Sequence, residues 1–168
     1  MNTVNLVDID LVTELKTAMR YLPSGVALLT TRDPETGESI GMAISSAISV
    51  SMNPPSMLVA VNTSSAAHTA IKKAGQFCIN LLNVEDKELV GIFSSSARKE
   101  ERFKQDSWFE KHQLDYLDGA TSLFCKTSTS VIFGTHELFI GEVFDVIQSQ
   151  EPQPLGWLKG DFHQMLPL

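Results

Sequence analysis

Between Gly41 and Met52 the chain alternates large and small. Met42, Ile44, Ile48, Val50 and Met52 fill the even positions, with Ser46 the exception, while Gly41, Ala43, Ser45, Ala47, Ser49 and Ser51 fill the odd ones. A period of two predicts one strand over 41–52 with its side chains on opposite faces. A face of Gly, Ala and Ser fills core volume poorly, so it predicts a flat molecule lying against the backbone. A helix or strand packed closely on the same face is the alternative. Asn53-Pro54-Pro55-Ser56 reads as a turn, residues 57–61 as a returning strand, and Asn62-Thr63-Ser64-Ser65 as the start of a helix over 66–74 closed by Gly75. Hydroxyls at a helix start act as caps, and the free N–H groups there also suit an anion. Beside the small-residue face, they predict a planar ligand that carries a phosphate.

The remaining pattern is mostly of strand type. A helix over 10–22 places Leu11, Leu15, Met19 and Leu22 on one face, and Pro23 and Gly25 stop it. A strand over 26–31 forms a hairpin with the Gly41 strand through a turn at 33–37. Residues 76–82 read as a strand. Asn83 caps a second helix with Glu85 and Asp86 in its first turn and Leu89, Val90, Ile92 and Phe93 on its buried side. The polar run 94–103 reads as exposed, and 107–119 as irregular, with Trp108 and Phe109 packing it onto the body. Strands over 123–133 and 136–147 follow, then a Pro-rich connector at 151–154 and a short hairpin or edge strand at 155–162. Short strands interrupted by helices predict a mainly β fold with helices, a small antiparallel barrel. The length of 168 residues suits one domain.

Composition narrows the function. The chain is 43% hydrophobic and 20% charged, with a net charge of −7 and no run of Lys and Arg, which argues against nucleic acid. No apolar run approaches the roughly 20 residues of a membrane span, and the N-terminus lacks the pattern of a signal peptide, so a cytoplasmic location is expected. Cys78 and Cys125 lie in apolar runs and form no CxxC pair, as buried free thiols do. His68, His112, His136 and His163 lack metal-ligand spacing. Nucleophile elbow, phosphate-binding loop and dinucleotide fingerprint are also missing. His68 sits in the first turns of the helix behind the hydroxyl cluster, and His136 opens a long strand after a Gly turn, a position suited to a pocket mouth.

Four segments in order resemble the short-chain flavin reductase family, the reductase components of two-component flavin monooxygenases. They are 41–55, Val61-Asn62-Thr63-Ser64-Ser65, Gly75-Gln76-Phe77-Cys78-Ile79-Asn80, and 134–143 with its His136. The resemblance extends over roughly 14–165. It implies a split β-barrel that binds flavin, usually as a homodimer. It also implies hydride transfer from NADH or NADPH to FMN or FAD, with reduced flavin diffusing to a partner oxygenase. Met42, Ala43, Ile44, Ser45, Ser46, Ile48 and Ser49 would then contact flavin, as would Asn62, Thr63, Ser64, Ser65 and His68. Ser94 and Arg102, in the loop the resemblance places near flavin, join them, with Arg98 and Lys99 as further phosphate candidates. His136 would position the nicotinamide, the role closest to catalysis, and Lys159, Gly160 and Asp161 would line the nucleotide's path. Many relatives carry Arg where this chain has Thr63, which leaves FMN against FAD open. An acid–base dyad is not required, because the cofactors carry the hydride chemistry and the protein orients them. An FMN-binding electron-transfer protein of the same barrel and a non-catalytic barrel for another small ligand are the alternatives.

Overall fold

A computed structural model describes residues 9–168. Three helices, α1 (Ile9–Met19), α2 (Ala66–Ala74) and α3 (Lys87–Ser94), accompany twelve strands. The strands are β1 (Ser24–Gly25), β2 (Ala27–Arg32), β3 (Ser39–Ile44), β4 (Ile48–Met52), β5 (Pro55–Asn62), β6 (Gln76–Leu81), β7 (Trp108–Lys111), β8 (Leu114–Leu117), β9 (Thr121–Phe133), β10 (His136–Ile147), β11 (Leu155–Leu158) and β12 (Asp161–Gln164). Short 3-10 turns at Val84–Asp86 and Ser96–Glu101 flank α3. The fold is mainly β with helices.

Seven strands form the principal sheet, antiparallel throughout, in the order β3-β2-β6-β9-β10-β5-β4. Its outer strands β3 and β4 are joined by residues 45–47 alone. Flat, a seven-stranded sheet would hold its edges about 29 Å apart, whereas this link reaches only about 14 Å. The sheet therefore curls until its edges meet at one end, a barrel with no ladder between β3 and β4 among the described residues.

This link corrects the single strand expected over 41–52. The Ser46 hydroxyl donates to the carbonyl of Ala60 at 3.1 Å and accepts its N–H at 3.3 Å, so a side chain takes the place of ladder bonds where the chain crosses from β2's side to β5's. The alternating large residues split accordingly: Ile44 is buried, but Ile48, Val50 and Met52 on β4 are exposed.

One core cluster joins Leu29, Val59, Phe77 and Phe139 of the sheet to Ala67 and Ile71 of α2. Another packs Leu28 and Leu82 against Leu89, Ile92 and Phe93 of α3 and Leu155 of β11. Buried Asn80 ties β2, β6, β8 and β9 together. Its amide donates to the Leu28 carbonyl and the Thr30 hydroxyl, and its oxygen accepts from Leu117 N–H and Ser122 Oγ. All its hydrogen-bonding capacity is met, as a buried amide requires.

Residues 107–119 are not irregular. They form the hairpin β7–β8, which turns through His112 and Gln113 with φ of 57° and 62°. Two successive left-handed residues suit a tight hairpin turn, but without Asn or Gly the sequence carries no turn signal. The first helix ends three residues before the expected Leu22, and of the hairpin or edge strand expected over 155–162 the chain forms the hairpin, β11–β12, over 155–164.

Candidate functional site

Two cavities adjoin along β3. The larger, about 740 Å³, lies between β3, the start of α2, the end of α3 and the segment 96–104. The smaller, about 400 Å³, lies between Ala43, Ile44 and Ser45, the α3 residues Val90 and Gly91, and Trp157 and Phe162 of the terminal hairpin. Ala43 and Ser94 border both.

The small residues of β3 serve two purposes. At Gly41 a Cβ would stand 2.6 Å from the Phe93 ring and 3.0 Å from that of Phe103. Here the small side chain admits an aromatic cluster, in which Phe93, Phe103 and Trp108 meet at centroid distances of 4.9–5.5 Å. At Ala43 the same strand faces open cavity, and Ser45, the first residue of the link after it, lines the smaller one. Close packing and an open flat wall thus divide one strand between them.

Local hydrogen bonds build the polar end. Asn62 Oδ1 accepts the Ser64 N–H at 2.9 Å and the Ser64 hydroxyl at 2.7 Å. Ser65 is the N-cap of α2: its Oγ accepts the His68 N–H at 3.2 Å and donates to the Asn62 carbonyl at 2.9 Å. Thr63 donates from its N–H and its hydroxyl to the Thr135 carbonyl, so the turn before β10 braces this segment. No acidic residue occupies the first turn of α2, leaving its positive dipole end uncompensated.

Arg102 reaches the larger cavity but is engaged by backbone. Its guanidinium donates to the carbonyls of Gly41 (2.8 Å), Ser95 (2.9 Å) and Ile92 (3.3 Å), and burial lowers its pKa from the usual value. It therefore fastens the 96–104 segment to β3 and α3. Lys99 also lines the cavity and pairs with Glu38 at 2.8 Å, while Arg98 turns away to Glu101.

Of the residues singled out from sequence, Met42, Ala43, Ser64, Ser65, Ser94 and Arg102 line the larger cavity, and Ile44 and Ser45 the smaller. Asn62 and Thr63 support the turn beside it. Ser46 is held in the link to β5, and Ile48 and Ser49 lie beyond that link on β4, outside both cavities. His68 points to the buried Glu137, at 2.6 Å. His136 stands exposed opposite Asn62 in the β10–β5 register, its Nδ1 2.9 Å from the Thr135 hydroxyl, and lines neither cavity. Lys159, Gly160 and Asp161 occupy the β11–β12 turn, where Lys159 N–H donates to the Arg20 carbonyl at 2.6 Å. They too lie outside both walls, although Trp157 and Phe162 of the same hairpin line the smaller one.

Sequence reading missed Phe93, Phe103, Trp157, Phe162 and Lys104 as lining residues. The interior glycine of α3, Gly91, was the signal available, since a helix tolerates Gly at a cost of about 1 kcal/mol and retains it where something approaches closely. Cys78 and Cys125 are buried and free, and burial pushes both thiols up, Cys125 to about 12. Among the described residues no three His, Cys, Asp or Glu side chains converge as a metal site would need.

The family model for the flavin reductase like domain matches residues 19–166. The chain belongs to the flavin reductase family. It is 32% identical over 143 residues to the reductase component of an FADH(2)-dependent resorcinol hydroxylase from Rhizobium sp. strain MTP-10005, covering 83% of this chain and 79% of that one. It is 31% identical over 152 residues to an NADH-dependent FMN reductase, RutF, of Stutzerimonas stutzeri strain A1501, covering 89% and 86%. The structure of the styrene monooxygenase flavin reductase from Pseudomonas putida S12 superimposes with a TM-score of 0.79 at 27% identity, over 92% of this flavin reductase and 99% of that protein.

Proposed function

We propose that this flavin reductase takes hydride from NADH or NADPH, passes it to FMN or FAD, and releases reduced flavin to a partner monooxygenase. The carrying observation is the pair of cavities meeting at Ala43. Together they offer an uncharged small-residue wall with hydroxyls and a helix start at one end and an aromatic pair at the other. A volume of about 740 Å³ falls within the range of cofactor-sized sites, and the residues present fit a flavin. Met42, Ala43, Ile44 and Ser45 would face its ring system, and Ser64 and Ser65 its phosphate.

When bound, the nicotinamide supplies the hydride and the flavin ring accepts it. The chain's part is geometric: donor and acceptor must be held roughly 3–3.5 Å apart, with one flavin face against β3 and the other free for the nicotinamide. His136 and the 159–161 turn, each next to a wall-bearing segment, orient the nucleotide in this reading. FMN and FAD are both admitted, because Thr63 contributes no charge to the phosphate end.

A homodimer and a cytoplasmic location belong to the same reading. Outer strand β4 exposes Ile48, Val50 and Met52 beside unpaired backbone, a surface suited to a second copy. Among the described residues no helix is long and apolar enough to cross a membrane. The deciding experiment measures NADH and NADPH oxidation with and without FMN, FAD or riboflavin. Turnover that requires added flavin supports the proposal. Tightly held FMN with no turnover would replace it with an electron carrier, and absence of flavin binding would leave a barrel for another ligand.

A further inference from the structure

The most enclosed charge among the ion pairs of the described residues is one the hydride chemistry does not use. Glu137 has a side chain only 2% exposed, on β10 beneath α2. Its carboxylate accepts from the Ser130 hydroxyl at 2.6 Å and from Lys72 Nζ at 3.0 and 3.4 Å, and lies 2.6 Å from His68 Nε2. His68 and Lys72 stand one turn apart on α2, so both reach the same point. We propose that Glu137 is a positioning residue of the flavin site, clamping α2 through His68 and Lys72 so that residues 64–67 are held as one wall of the larger cavity. The proposal rests on reading that cavity as the flavin site.

Two observations and one general principle carry it. First, apolar grip on this helix is small: two of its three buried residues are Ala67 and Ala70, and only Ile71 is large. Second, two hydrogen bonds to a single residue, His68, link the carboxylate to the cavity, one through its ring and one through its backbone N–H. Glu137 holds the His68 ring, the His68 N–H donates to Ser65 Oγ, and Ser65 lines the wall. Third, apolar residues of similar volume often stabilise a fold as well as a buried ion cluster does. Stability alone therefore does not call for a carboxylate here, whereas fixing the angle of a poorly gripped helix calls for directional bonds. The ring of His68 packs at 5.8 Å from Phe139, so its own orientation is set from both sides.

Glu137→Gln and Lys72→Met are prepared in the full chain, with Ala43→Leu as a block of the cavity. Steady-state NADH oxidation is measured against FMN and against NADH, with thermal unfolding and amide exchange over 64–71. The expected result for Glu137→Gln is a Michaelis constant for FMN raised roughly ten- to a hundredfold, kcat at saturating FMN within about twofold of wild type, and faster exchange in the first turn of α2. Lys72→Met, on a half-exposed side chain, gives the same pattern more weakly, and carries the test if Glu137→Gln does not fold. Folded variants with a wild-type constant for FMN, or kcat falling with the folded fraction while the constant stays fixed, would overturn the proposal. Ala43→Leu raises the FMN constant if the cavity reading is right. Should it leave that constant unchanged, the cavity reading fails and the clamp's role with it; a block at Ala43 with no effect at Glu137 and Lys72 refutes the clamp alone.

Discussion

His136 stands exposed at the first position of β10, held at its Nδ1 by Thr135 and opposite Asn62 of β5. A side chain so placed contributes little to stability, since exposed substitutions usually change it by no more than about 0.5 kcal/mol. If it orients the nicotinamide, His136→Ala lowers kcat/KM for NADH about ten- to a hundredfold and leaves flavin affinity and melting temperature unchanged. Stopped-flow reduction of the preformed enzyme–flavin complex checks this; wild-type rates would remove His136 from the site. Some residues could be placed from sequence because their chemistry is local: Ser65 precedes a helical pattern and caps it. Arg102 could not. Nothing in its neighbours indicates that it spends its guanidinium on the carbonyls of Gly41, Ile92 and Ser95, because two of those partners lie on other elements.

At the scale of elements, the start of α2, proposed to hold the flavin phosphate, can be tested directly. Replacing Ser64 and Ser65 together by Ala removes two hydroxyls from the wall, and loss of the Ser65 cap costs about 1 kcal/mol of stability. That cost falls equally on every flavin. A hydrogen bond to a charged group is worth about 1.5–3 kcal/mol, so the variant binds FMN much more weakly while riboflavin, lacking the phosphate, changes little. Fluorescence quenching titrations with both flavins measure the difference, and equal losses would place the phosphate elsewhere. The long strand after Gly134 was legible to the residue: β10 runs from His136 to Ile147 as its alternation indicates. The β7–β8 hairpin was not, because His112 and Gln113 adopt left-handed φ without the residue types that announce it. Likewise the break at 45–47 is written in a Ser46 bond to β5, not in the two-residue period, which runs straight through it.

Across the whole molecule, two carboxylates contribute most clearly to stability lost in acid. Bonds from Ser130, His68 and Lys72 hold Glu137 at about 2, below its ordinary 4.5, and Lys111 and His112 hold Asp145 at about 2, below 3.8. Below about 4.5 the unfolded chain binds protons that the folded chain refuses. Stability contributed above that pH is therefore lost as pH falls toward 2. Melting temperatures taken from pH 6 to 2 should drop most steeply in that window, and less steeply in Glu137→Gln; a profile identical in the two proteins would contradict the assignment. The outer strand β4 bears on assembly. Its Ile48, Val50 and Met52 are exposed, and its free edge offers unpaired backbone. Stable dimers cover about 1,200–2,000 Å² in all, more than one strand supplies, so β4 would be the centre of a larger contact. In sedimentation velocity the wild-type chain should run at twice its 18.5 kDa mass. Val50→Glu should shift it to the monomer by burying a charge without a partner. Because β4 continues from Ser45, which lines the smaller cavity, dissociation should also raise the Michaelis constant for flavin. A monomeric wild type at micromolar concentration, or a Val50→Glu variant that stays dimeric, would move the contact away from β4.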